Sequence, residues 1–108
     1  MMQTSEIEQR FSSIENSVRQ LKQAVQTQQD APQELKDCVQ QLDQQASQTR
    51  QVLQSKDESR IVECVDNMEQ TSDRAGQAIK SAQNIDETLR QAVMQAHSEL
   101  STLKHQLH

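Results

Sequence analysis

Large apolar residues recur along this chain in alternating steps of four and three. Ile7, Phe11, Ile14, Val18, Leu21 and Val25 form one such stripe, and Leu35, Val39, Leu42, Ala46, Thr49 and Leu53 form a second. Steps of four and three average close to the turn of an α-helix, so the members of each stripe project from one side of one helix. Gly76 is the only glycine, Pro32 the only proline, and aromatic residues make up 1% of the chain. Hairpins and half-buried strands depend on those residue types, which leaves an all-α fold.

Gln fills about a fifth of the positions, and Gln is well tolerated inside helices. Hydrophobic residues amount to 32% and the mean hydropathy is -0.92. The core is therefore expected to be thin, aliphatic and of modest stability. With 108 residues the chain has the size of one domain spanning 1–108, too short for two independent cores.

Helix 1 is expected over about 5–28, with Thr4 or Ser5 capping it and Glu6 and Glu8 near the positive end of its dipole. Pro32 disfavours a helical residue before it but fits a first turn. Asp30 with Gln33 has capping-box spacing, which predicts a tight reversal into helix 2 over about 31–54. Ser55 with Glu58 repeats that spacing, and the stripe resumes at Ile61 one residue out of phase, placing a break near Lys56 and helix 3 over about 57–82.

From Ile61 the pattern Ile61, Val65, Met68, Ser72, Ala75, Ile79, Ala82, Asp86, Leu89, Val93, Ala96, Leu100, Leu103 and Leu107 never slips. One continuous helix of roughly 70 Å would accommodate it, giving three helices and a dimeric coiled coil. Two details favour a break instead. Asp86 would otherwise lie on the buried stripe, and Asn84 with Glu87 again has capping-box spacing. A fourth helix over about 85–107 then closes an up-down-up-down four-helix bundle.

The formal net charge is -5, and Lys and Arg are scattered, so nucleic acid is not an expected partner. No window approaches the apolar length that crosses a bilayer, and Met1-Met2-Gln3-Thr4-Ser5-Glu6 has neither the basic nor the apolar part of a leader. The expected location is the cytoplasm.

No catalytic, cofactor or metal-binding residues are expected. Cys38 and Cys64 each precede a stripe residue, which puts them at the core's border as reduced thiols, too far apart along antiparallel helices for a disulfide. Their surroundings, Asp37 to Gln44 and Glu63 to Gln70, resemble each other, as a helix duplication or any two heptad segments would. His97, His105 and His108 lack a converging ligand set, and the Glu-x-x-His pattern of di-iron bundles is absent. Asp57, Glu58, Asp66, Glu69 and Asp73 read as solvated faces. No Ser or Thr has an adjacent base, and there is no Gly-rich phosphate loop. A small-molecule substrate is not expected.

Thr49, Ser72 and Asp86 interrupt the stripes; Asp86 reads as a helix start, while Thr49 and Ser72 either fix register or face water. Gly76 sits mid-helix beside Ala75 and Ala78. These small residues and Ala82 allow a close helix crossing or leave a shallow groove for a partner helix. On its composition and the stripes Ile7 to Val25 and Leu35 to Leu53, the chain resembles small Gln-rich all-helical proteins of beta-proteobacteria. That resemblance implies a bacterial helical bundle and transfers no residue role. The expected function is a non-enzymatic interaction or structural module that self-associates or binds a protein partner. The alternative is an amphipathic protein of membrane surfaces, suggested by Phe11 at the centre of stripe 1.

Overall fold

The computed structural model describes residues 3–108. Four helices form: α1 (Thr4–Thr27), α2 (Gln33–Ser55), α3 (Glu58–Ser81) and α4 (Glu87–Leu107). Each buries its stripe. Ile7, Phe11, Ile14, Val18 and Leu21 of α1 meet Leu35, Val39, Leu42 and Leu53 of α2, Ile61, Val65, Met68, Ala75 and Ile79 of α3, and Leu89, Val93, Ala96, Leu100 and Leu103 of α4 in a single core.

Helix α1 packs on α2 and α4, and α3 packs on α2 and α4; the backbones of the diagonal pairs stay apart. This is the square, up-down-up-down arrangement, 41 × 21 × 18 Å overall. The single long helix is excluded because the chain leaves helical geometry over residues 82–86. A helix of 24 residues spans about 36 Å. All four stripes are thus of matching length and none is left over.

The reversals lie where the stripe pattern places them, but different residues perform the capping. Gln3, not Thr4 or Ser5, is the N-cap of α1, without a side-chain bond. Pro32 is the N-cap of α2, again without one, so the Asp30–Gln33 box does not form. Proline has no N–H to satisfy and its ring presets the backbone, and the Lys36 N–H reaches the Pro32 carbonyl at 3.1 Å. Ser55 is the last residue of α2, and Asp57 caps α3 by accepting from the Arg60 N–H at 3.4 Å. Asp86 caps α4 by accepting from the Thr88 N–H at 3.4 Å, in place of Asn84. Its role as a helix start holds, and the carboxylate is exposed.

Two turn residues adopt the left-handed conformation: Lys56 at φ 59° and Asn84 at φ 62°. Asn tolerates that region, whereas Lys carries a Cβ that crowds its own carbonyl. Gln28 ties the two turns at one end together, its amide donating to the Asn84 carbonyl at 3.2 Å and accepting from the Asp86 N–H at 3.0 Å.

Of the polar interruptions of the stripe, Thr49 and Ser72 are buried. Thr49 donates to the Gln45 carbonyl at 2.7 Å and lies 3.4 Å from the Met68 sulfur, and Ser72 donates to the Glu69 carbonyl at 2.7 Å. Each hydroxyl is satisfied by its own helix, so neither faces water. Ser17 and Thr71 are also buried, Ser17 against Glu99 across the α1–α4 seam. Across α1–α2, Arg50 pairs with Glu15, with 3.2 Å from Nε to Oε2, and lies 5.3 Å from the Phe11 ring centroid. The Glu15 hydrogen bond raises the Arg50 pKa further.

Replacing Lys56 by Gly relieves the left-handed penalty. The variant should gain about 1 kcal/mol, or roughly 4 °C in Tm, in thermal denaturation followed by circular dichroism. Lys56→Val should move the midpoint the other way.

Candidate functional site

The outer surface of α3 and α4 differs from the other three sides of the bundle. Asp66, Glu69 and Asp73 lie at steps of three and four on α3, and His97, Lys104 and His108 lie on the facing side of α4. Lys104 Nζ is 3.5 Å from Glu69 Oε2, His108 Nε2 is 3.0 Å from Asp66 Oδ1, and His97 Nε2 is 3.5 Å from Glu69 Oε1 and 3.6 Å from Asp73 Oδ1. The solvated-face expectation holds for Asp73, which is exposed, and needs correction for Asp66 and Glu69, which are half-buried. They border the α3–α4 seam, and the Glu69 side chain is only 17% exposed.

His97 Nε2 is buried and makes no hydrogen bond to either carboxylate, although both are near enough to pair with a protonated ring. Among the described residues no group of three His, Cys, Asp or Glu side chains is placed to hold a metal ion. Glu69 is shared between His97 and Lys104, so the charges serve to join helices.

Above this seam runs an open groove of about 390 Å³, with Ile79 and Val93 in its lining, Gly76 and Met94 on either side, and Lys80 and Arg90 towards one end. Met94 is 63% exposed and is the one exposed large hydrophobic residue among those described. It follows the stripe residue Val93 and points outward because a step of one on a helix turns the side chain through about 100°. A Cβ built on Gly76 meets nothing within 4 Å. The glycine therefore serves no close crossing inside the bundle. Of the small residues only Gly76 borders the groove; Ala75 and Ala78 are buried in the core and Ala82 lies outside its lining, so the groove expected along the alanines is not the one that forms.

The remaining sides are less differentiated. The α1–α4 groove places Ala24 and Ala92 among Gln20, Gln23, Gln91 and Gln95, with no charged residue in its lining. The α2–α3 groove is polar, with Gln41, Gln45 and Gln70 beside Arg74, and Arg74 donates to Gln41 at 2.6 Å.

The cysteines are both free, Cys38 buried and Cys64 half-buried. Loss of hydration pushes the Cys38 thiol above its usual range, opposed by nearby Arg74 and assisted by Glu34 and Asp37. It is held protonated and unreactive at neutral pH. His105 is exposed. No described helix is long and apolar enough to cross a membrane.

Comparison with protein-family models, with curated proteins and with solved structures gives no match. Function must therefore be argued from this surface.

Because nothing contacts a Cβ at residue 76, Gly76→Ala should stabilise the fold by about 1 kcal/mol, measured by urea denaturation. Thiol labelling with an aromatic disulfide should modify Cys64 first. A Cys64→Ser variant, retaining only Cys38, should react about tenfold more slowly than Cys38→Ser.

Proposed function

We propose that this protein is a non-enzymatic helical interaction module that engages another protein surface through the outer face of α3 and α4. The observation that carries the proposal is Met94, standing exposed beside a groove that Gly76 leaves open. An exposed Met is a soft, adaptable apolar contact suited to protein surfaces. A mid-helix glycine with no internal packing role leaves the groove beside Met94 open at a cost in stability.

A non-enzymatic role accords with the form of the grooves, which are open to solvent, whereas paired catalytic carboxylates need a sheltered cleft to separate their pKa values. The net charge of -5 disfavours nucleic acid as the partner. A cytoplasmic, bacterial setting belongs to the same proposal and rests on composition and stripe pattern. The membrane-surface alternative drew on Phe11, which is fully buried in the core. Lipid binding through that residue would require the bundle to open.

The test is size-exclusion chromatography with light scattering, together with a pull-down from native cytosol, on the wild type and on Met94→Glu. The expected outcome is a self-associated species or a retained protein that the substitution reduces at least tenfold, with helix content unchanged. A wild type that stays strictly monomeric even at high concentration in sedimentation equilibrium, and that retains nothing, would overturn the proposal.

A further inference from the structure

Asp73, Gly76, Gln77 and Lys80 stand at i, i+3, i+4 and i+7, one outward stripe on α3, and Arg90, Met94 and His97 stand at i, i+4 and i+7 on α4. All seven line the same groove. The two helices are antiparallel, and the approach of His97 to Asp73 at 3.6 Å fixes their register. Gly76 then lies level with Met94, and Lys80 level with Arg90. One end of the groove carries the carboxylates of Asp73 and neighbouring Glu69, the other the cations of Lys80 and Arg90.

Such a groove is complementary to itself. A two-fold axis lying across it, between residues 76 and 77 on α3 and between 93 and 94 on α4, sets α3 antiparallel to α3 of a second copy and α4 antiparallel to α4. Asp73 of each copy then meets Lys80 of the other, while Arg90 of each stands opposite His97, beside the end that holds Glu69 and Asp73. Met94 meets Met94 beside the gap left by two Gly76 residues. The other two-fold arrangement, with α3 against α4 of the second copy and like ends together, stacks Lys80 and Arg90 on the same cations and is rejected by repulsion. Lys80 makes no ion pair among the described residues, and Arg90 has only Glu87 at 3.8 Å, one turn away on the same helix.

On this basis we infer that the occupant of the α3–α4 groove is a second copy of this chain, in an isologous antiparallel dimer centred on Gly76 and Met94. The inference rests on the α3–α4 face being a protein-binding surface, and it names the partner. A long face of a 41 × 21 × 18 Å molecule is large enough to hold an interface of ordinary size, about 800 Å² per partner. Rim ion pairs of this kind set orientation more than affinity. The groove supplies the affinity, and the expected association is weak, with a Kd on the order of 10–100 μM.

The experiment is sedimentation equilibrium of the full chain up to about 500 μM, at low and moderate salt because screening weakens exposed pairs. Lys80→Asp and Asp73→Lys are compared singly and combined, with Gly76→Leu as a variant that fills the channel without touching a charge. Circular dichroism checks that each remains helical. Each single charge reversal should raise Kd at least about fivefold, the pair should restore it to within about twofold of wild type, and Gly76→Leu should abolish association while leaving the monomer folded. A wild type that stays monomeric to the highest concentration overturns the inference. So does a dimer that survives Gly76→Leu, or one whose charge reversals fail to compensate. If the protein is monomeric yet retains another protein in a Met94-dependent way, self-pairing falls while the interaction-module reading stands; if neither occurs, both fall.

Discussion

The structure depends on one constraint: no helix here can shelter its apolar stripe alone. Each stripe is about one large residue wide, made of Ile, Leu, Val and Ala, and flanked by Gln and charge. Two helices facing each other would leave both flanks of the stripe wet, whereas four helices in a square close the stripe on all sides. Phe11, Leu42, Val65 and Leu100 are consequently inaccessible to solvent despite the low overall hydrophobicity. Such a small protein gains enough burial because nearly every large aliphatic side chain is used, and Met94 alone among the described residues is left exposed.

Around this core, each seam is joined by a few polar contacts of its own kind. Arg50 with Glu15 and Lys22 with Asp43 cross α1–α2, Arg74 with Gln41 crosses α2–α3, and Ser17 with Glu99 crosses α1–α4. The α3–α4 seam has the denser set of charges, gathered on one side, with the groove beside it. Exposed pairs of this type contribute little to stability individually. Their value lies in choosing which flank meets which, since the apolar stripes are too alike to discriminate among themselves.

The architecture could be read from the sequence because burial obeys a periodicity that survives loss of detail. Ile14, Leu42 and Val65 are buried as their spacing demands, and the breaks at Pro32, Lys56 and Asn84 lie where the pattern slips or a polar residue intrudes. Of the capping residues, Asp86 alone was legible as a helix start. At each break several Ser, Asn, Asp and Gln stand within three positions of one another, and which one caps depends on where the preceding helix stops, as Ser55 and Asp57 demonstrate. Gly76 marks the groove, whereas its neighbours Ala75 and Ala78 belong to the core, and Met94 escapes notice because it stands one position off the stripe. The acidic row of Asp66, Glu69 and Asp73 looked like solvated surface when α3 was read alone. The matching row of His97, Lys104 and His108 was the available signal, and it becomes visible only when flanking positions on two helices are compared.

The ring order of the helices also governs how the molecule assembles. Three of its four seams join helices that follow one another in the chain, through connections as short as Lys56 and Asp57. Those seams require only small loop closures, whereas α1 and α4 bring together the two extremes of the polypeptide. Topologies dominated by local contacts reach the native state rapidly. Here the largest loop closure falls on the α1–α4 seam, where Gln28 grips the opposite turn at one end and Ser17 meets Glu99 further along. That seam is the clasp of a bracelet: it alone closes the ring between helices distant along the chain, and the other three are drawn together by short turns.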